Sequence, residues 1–419
     1  MAINRAFQAL FLLLVLATLS SCQTAEKTAT PNQAEQNLDG LIIQGQASSG
    51  NTSQSESAIP VPTTQAQTRP TDQIALRVGE KLSTMTLRQK LGQLFMVGYT
   101  DARDADELIR LYNAGNLVLM GHNDGPPETI RETLKHLQGR ARSSNNDIGL
   151  LIAVDQEGGS VQRLRSGFPA LPSAREAALN RDLESYARAL SADLLALGVN
   201  MNLAPVLDID YGLSQVIGTR AFGETPASVE SATSQYLKGA RASGIVSTLK
   251  HFPGHGSTGT DSHRELPVVH KTLSELNKQD LAPFMSNIRL GLADAIMVGS
   301  IAFPNIDGSG LPASISKTMV QDLLRNQLGY TGVVLTDDAG MGALKRSYTD
   351  EEVVTLAINA GVDIVVCIRK EEATSCSQRQ FVAMFNQLEK AVQSGIVSQT
   401  TIDNAVTRVL TLKARQGLL

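Results

Sequence analysis

From about residue 73 onward, short apolar runs recur along the chain. Between them lie segments in which apolar positions fall every three or four residues. The runs are Gln93–Gly98, Asn116–Met120, Leu150–Val154, Val199–Ala204, Ile245–Leu249, Ala295–Gly299, Gly332–Thr336 and Val362–Val366. They are rich in apolar and β-branched residues and do not alternate with polar ones, as expected of parallel strands buried on both faces. Leu183, Tyr186, Leu190, Leu194 and Leu197 trace one helical stripe, and Phe381, Met384, Leu388 and Val392 trace another near the C-terminus. Eight strand-then-helix units predict an α/β fold, a single (β/α)8 TIM-type barrel over residues 73–419 with no second catalytic domain. An open doubly wound sheet is the alternative. It is weakened because no G-x-G-x-x-G follows a strand and there is no Walker A loop.

The chain before the barrel has a different pattern. Arg5 precedes a nearly uncharged stretch, Ala6 to Leu19, too short for a comfortable membrane span of roughly 20 residues. It ends in Leu19-Ser20-Ser21-Cys22, which resembles the lipobox of bacterial lipoproteins. The expectation is a lipoprotein signal peptide over 1–21 and lipidation of Cys22. Residues 22–72, with no aromatic residue, read as a flexible tether that cannot bury enough apolar area to order itself. The Leu41-Ile42-Ile43 triplet is read as incidental. Gln23, rather than Asp, follows the Cys, so the resemblance implies an exported, membrane-anchored protein, on the outer membrane facing the periplasm where two membranes exist.

Composition narrows the function classes. A net charge of −4 argues against nucleic-acid binding, which needs a basic surface. With no Trp and 4% aromatic residues, an extended polysaccharide groove is disfavoured and a small pocket stays open. Three cysteines cannot make a disulfide framework, and Cys367 and Cys376 are read as free thiols rather than a pair. Nothing in the pattern indicates an oligomeric state.

Chemistry is sought at the C-terminal strand ends, where barrel active sites lie. The third run is followed by Asp155-Gln156-Glu157-Gly158-Gly159-Ser160-Val161-Gln162-Arg163. The fourth leads to Asp208 and, further on, Arg220. The fifth is followed by Lys250-His251-Phe252-Pro253-Gly254-His255-Gly256 and then Asp261-Ser262-His263. The seventh ends in Thr336-Asp337-Asp338-Ala339-Gly340-Met341. Ionisable residues at the ends of apolar strands are costly unless paired or used, so the set suggests one convergent site. His251, His255 and His263 with Asp261 invite a zinc reading, but a Gly- and Pro-rich loop does not present them at i and i+4 of a helix, and no metal or cofactor is expected. His255 and Asp208 are read as satisfying loop backbone groups. As acid–base chemistry, Asp337 can attack an anomeric carbon and His263 can protonate the leaving oxygen, with Asp261 orienting the imidazole. Asp155, Arg163, Arg220, Lys250 and His251 offer charge-assisted hydrogen bonds to sugar hydroxyls.

Asp-Gln-Glu-Gly-Gly-x-Val-Gln-Arg, Lys-His-Phe-Pro-Gly-His-Gly, Asp-Ser-His and Thr-Asp-Asp together resemble glycoside hydrolase family 3, and more narrowly its bacterial β-N-acetylhexosaminidase (NagZ-type) branch, over about 80–410. The resemblance implies a nucleophile at Asp337, an acid/base at His263 supported by Asp261, and sugar contacts at Asp155, Arg163, Arg220, Lys250 and His251. It implies an exo-acting retaining β-N-acetylglucosaminidase acting on a small oligosaccharide or muropeptide. The alternatives are a β-glycosidase of other specificity, a β-N-acetylglucosaminide phosphorylase, and a non-catalytic sugar-binding lipoprotein. Two positions depart from the family pattern: Ala339, where Leu is frequent, and Ser300, where His is common.

Overall fold

The computed structural model describes residues 70–214, 216–368 and 376–419. The chain divides into Met1–Gln65 and Ala66–Leu419, and all described residues belong to the second unit. The expected signal segment, Cys22 and the Leu41–Ile43 triplet lie outside the described residues, as does the Cys376 side chain.

Among the described residues ten strands form: β1 Phe95–Gly98, β2 Asn116–Leu119, β3 Leu151–Val154, β4 Gln156–Gly158, β5 Val161–Gln162, β6 Met201–Asn202, β7 Val246–Phe252, β8 Ala295–Val298, β9 Val333–Thr336 and β10 Val365–Cys367. Eight of them pair in parallel in the order β10-β1-β2-β3-β6-β7-β8-β9. A parallel bridge between Leu335 and Ile364, with Thr336 N donating to Ile364 O at 3.0 Å, joins the two ends of that order. The sheet is therefore a barrel, not an open doubly wound sheet. The antiparallel hairpin β4–β5 stands apart, on the loop that leaves β3.

Period-two alternation runs along the barrel strands, but both sets of side chains are mostly apolar. Met96, Val118, Leu151, Ala153, Met201, Val246, Ala295, Met297, Val333, Leu335 and Val366 fill the barrel interior. Their neighbours Phe95, Val97, Leu117, Ile152, Val154, Ile296, Val298, Val334 and Val365 pack outward against the helices. This is why the runs read as continuous. Each such buried Leu, Val or Ile side chain contributes roughly 1.5–3 kcal/mol. The expected stripes are the packed faces: Leu183, Leu190, Leu194 and Leu197 of the helix Leu183–Leu197, and Phe381, Met384 and Leu388 of the helix Cys376–Gln393.

Strand boundaries move where side chains replace ladder bonds. The last run was expected from Val362, but Asp363 intervenes. Its fully buried carboxylate accepts from Val334 N at 2.8 Å, Arg325 Nη2 at 2.7 Å and Arg408 Nε at 2.8 Å, and the strand starts two residues later. At the opposite end from the strand C-termini, Val409 and Leu412 of the helix Gln399–Arg415 close the barrel interior. Lys413 of the same helix is fully buried, and its Nζ donates to Gln93 Oε1, Gly115 O and Gly149 O at 2.6, 2.7 and 2.9 Å. Cys367 is a buried free thiol, with its Sγ 3.6 Å from Met384 Sδ.

Candidate active site

Strand parity delivers the first side chains. Leu151 and Ala153 point into the barrel, and two residues on, just past β3, is Asp155. Val333 and Leu335 point inward, and Asp337 follows at the end of β9. A side chain that continues the interior face beyond the last ladder bond opens into the barrel mouth. Both aspartates line one cavity of about 530 Å³ at that mouth.

β7 is longer than its sequence run suggested and carries Lys250 and His251 within the strand. Its register to β8 passes from Leu249↔Ile296 to Phe252↔Val298, so three steps on β7 face two on β8. An extra residue of this kind re-aims side chains next to a site. Lys250 Nζ donates to Asp155 Oδ1 at 2.6 Å and lies 2.7 Å from Glu157 Oε1, while Arg220 grips Glu157 with Nε and Nη2, each at 2.8 Å. Two carboxylates and two cations thus alternate under the cavity wall. Burial favours the neutral Glu157 carboxyl, but Arg220 and Lys250 outweigh it and hold its pKa well below the carboxylate range. Burial depresses the Lys250 ammonium, yet Asp155 and Glu157 prevail and raise it. Arg163 Nη2 approaches Asp155 Oδ2 at 3.8 Å, and its buried Nε–H has no hydrogen-bond partner among the described residues.

Asp208 was read from sequence as satisfying loop backbone. It does so, accepting from His251 N at 3.3 Å and His255 N at 2.6 Å, and it also binds the His251 ring, with Nδ1 to Oδ2 at 2.6 Å. Burial opposes its ionisation, but His251 and His255 hold the carboxyl below its ordinary value. With Nδ1 engaged, His251 presents its other nitrogen from the cavity wall. His255 is buried. Its Nε2 lies 2.9 Å from Ser262 Oγ, and burial pushes its pKa down despite the opposing charge of Asp208.

His263 stands on the loop after β7, exposed at the cavity rim. Asp261 accepts from both its main-chain N at 3.0 Å and its ring Nδ1 at 2.9 Å. Partial burial raises the Asp261 carboxyl, but these bonds and Arg264 leave it lowered. Nε2 is then the nitrogen available for proton transfer. Asp337 N is anchored on Val298 O at 2.9 Å, whereas Asp338 Oδ1 accepts from Gly340 N and Ile368 N, each at 3.0 Å. Asp338 is a bracket between loops, and Asp337 is the carboxylate on the interior parity.

Asp155, Arg163, Arg220, Lys250, His251, His263 and Asp337 all line the one cavity, and Asp261 backs His263 from outside it. Sequence reasoning did not assign a site role to Glu157, Asp208 or Ser262. Glu157 was legible only as a second acid within the Asp155 motif. The apolar floor of Met120, Leu203 and Met297 was hidden among ordinary strand residues. Ser300 is fully buried, 3.1 Å from Ser314 Oγ, and Ala339 is buried, and neither side chain lines the cavity.

Residues 86–412 match the glycosyl hydrolase family 3 N-terminal domain. The chain is 34% identical over 338 residues to beta-hexosaminidase LpqI of Mycobacterium tuberculosis, covering 78% of this chain and 82% of that one. It is 30% identical over 371 residues to beta-hexosaminidase A of Pseudoalteromonas piscicida, covering 79% of this chain and 61% of that one. The solved structure of a family 3 β-N-acetylglucosaminidase from Paenibacillus sp. superposes with a TM-score of 0.75 at 37% identity, over 80% of this chain and 63% of that one. LpqI superposes with a TM-score of 0.72 at 32% identity, over 80% of this chain and 96% of that one. The chain therefore spans about three-fifths of some relatives and nearly the whole of others.

Proposed function

The chain belongs to glycosyl hydrolase family 3, and from that premise we propose that it is a β-N-acetylhexosaminidase, an exo-acting retaining enzyme that removes non-reducing-end N-acetylglucosamine. The beta-hexosaminidase names of its relatives support the reaction class. The observation that carries the reading is the meeting of Asp337 from β9 and His263 from the loop after β7 at one cavity.

In the first step an Asp337 oxygen attacks the anomeric carbon. The bond to the leaving oxygen breaks, and His263 Nε2–H supplies its proton. Asp261, ionised and bonded to Nδ1, stabilises the imidazolium before transfer and orients the ring. In the second step neutral His263 takes a proton from water, which attacks the glycosyl ester and frees Asp337. Two inversions at one carbon give retention. The Arg163 guanidinium, the Lys250 ammonium and His251 line the cavity and donate to sugar hydroxyls, and Asp155 accepts from them.

Comparing hydrolysis of chromogenic β-N-acetylglucosaminide and β-glucoside, with and without inorganic phosphate, tests the reading. Preference for the first substrate, with free sugar as product in both buffers, is expected. Preference for the glucoside would overturn the substrate class. Sugar 1-phosphate as the main product would identify a phosphorylase, and no turnover of either would leave a binding protein.

The export reading is also proposed. It rests on the Leu19–Cys22 sequence and places the barrel on a lipid anchor, on the outer membrane facing the periplasm in a two-membrane cell. A muropeptide or other short N-acetylglucosamine-capped oligosaccharide of the envelope is then the substrate within reach.

A further inference from the structure

We propose that the segment Gly342–Arg346, which follows the nucleophile loop, is the seat that positions the His263 acid/base, with Gly342 its decisive residue. The inference rests on the acid/base role proposed for His263.

The His263 side chain is 61% exposed, so packing does not hold it, and its place is inherited from its backbone. That backbone is docked at successive residues on the segment after Asp337. Ala343 N donates to Ser262 O at 3.1 Å, Gly342 N to His263 O at 3.1 Å, and Arg346 Nε to Arg264 O at 2.8 Å. On the opposite side, buried Ser262 is held by His255. The approach is closest at Gly342. A Cβ there would stand 2.6 Å from both His263 O and Arg264 O, well inside contact distance and against backbone that has no rotamer to yield. The seat is five residues beyond Asp337 on the same connection, so nucleophile and proton donor share one local frame. Proton transfer requires heavy atoms within about 2.6–3.2 Å, and a displacement of about 1 Å costs on the order of 10²-fold. A small shift of the seat therefore withdraws the proton while leaving Asp155, just past β3, and Lys250 and His251, on β7, in place.

Gly342→Ala, Arg346→Gln, His263→Ala and the Gly342→Ala/His263→Ala double variant are assayed as kcat/KM on an N-acetylglucosamine disaccharide and on its dinitrophenyl glycoside. The disaccharide leaves as a basic alkoxide and needs the proton, and the dinitrophenolate needs little. His263→Ala is the control. A loss of about 10²–10⁴-fold on the disaccharide, with much less on the dinitrophenyl substrate, upholds the acid assignment, and an equal loss on both defeats it separately from the seat. Given that control, Gly342→Ala is expected to lose about 10–10³-fold on the disaccharide and less than about threefold on the dinitrophenyl glycoside. The double variant is expected to be no worse than His263→Ala, since a missing donor cannot be misplaced. Equal losses of Gly342→Ala on both substrates, no loss on either, or additive losses in the double variant would overturn the seat. Should Gly342→Ala not fold, Arg346→Gln decides: a severalfold loss confined to the disaccharide supports the seat, and an equal or absent loss overturns it.

Discussion

At the scale of single residues, the site is an exercise in keeping charges buried only when they are paired. Asp155, Glu157, Lys250 and Arg220 alternate in sign, and Asp208 sits between two histidines. Asp337 is left to do chemistry, and Asp337→Asn is expected to abolish turnover with an unchanged unfolding temperature, because the amide is nearly isosteric but cannot form the glycosyl ester. A slow fluorinated N-acetylglucosaminide should label Asp337, and label on Asp338 would reverse the assignment. The buried groups also set an acid limit. His255 lies below its ordinary 6.5, Glu157 below 4.5, and Asp208 and Asp261 below 3.8. In each case the unfolded chain binds the proton first. The stabilisation is complete above the unfolded value and is lost as pH falls. Thermal stability should therefore fall first below about pH 6.5 and more steeply below about 4.5. His255→Gln should flatten the first part only, and an unchanged first part would remove His255 as its source.

Among elements, the decisive contacts are those where backbone meets backbone. The helices Leu183–Leu197 and Pro226–Ser243 touch at Gly239, where an added Cβ would lie 2.0 Å from Glu184 O. Gly239→Ala gains about 1 kcal/mol of helix propensity but forces the pair apart, which costs typically 1–3 kcal/mol or more. A net loss of stability in denaturant titration is expected, and a gain would mean the helices separate freely. Lys413 ties the C-terminal helix to the beginnings of β2 and β3 through Gly115 O, which also accepts from Leu151 N, and Gly149 O. Lys413→Met would leave Gly149 O bare in the core, at roughly 1–3 kcal/mol, and take one of two donors from Gly115 O, partly offset by removing a buried amine. Destabilisation by about 1–3 kcal/mol is expected, with the candidate site intact in any protein that remains folded.

Over the whole molecule, the glycosidase and lipid-anchor proposals fall on separate stretches of chain. Among the described residues no helix is long and apolar enough to cross a membrane, so on the export reading one lipidated cysteine carries the attachment. Cys22→Ser should release active enzyme into the soluble fraction at unchanged kcat/KM. Retention with membranes after a salt wash would defeat the lipid-anchor proposal.

What the sequence alone determined here is what repeats locally. Apolar runs buried on both faces require covering helices, eight such units predict the barrel, and strand-end acids and histidines mark its mouth, so every residue first assigned to the sugar site and its acid/base stands in or beside one cavity. The tertiary structure decided what depends on pairing across distant segments. Asp363 displaced a strand start because its carboxylate meets Val334 and two arginines. Glu157 became the hub of the cation pair because β7 brings Lys250 within 2.7 Å of it. Asp208 became the holder of His251 because the bulge in β7 turns that ring toward it. Gly342 reads in the sequence as one more loop glycine. Only the approach of His263 and Arg264 carbonyls, from nearly eighty residues earlier in the chain, gives its missing side chain a function, since steric exclusion is a property of the neighbour and not of the residue.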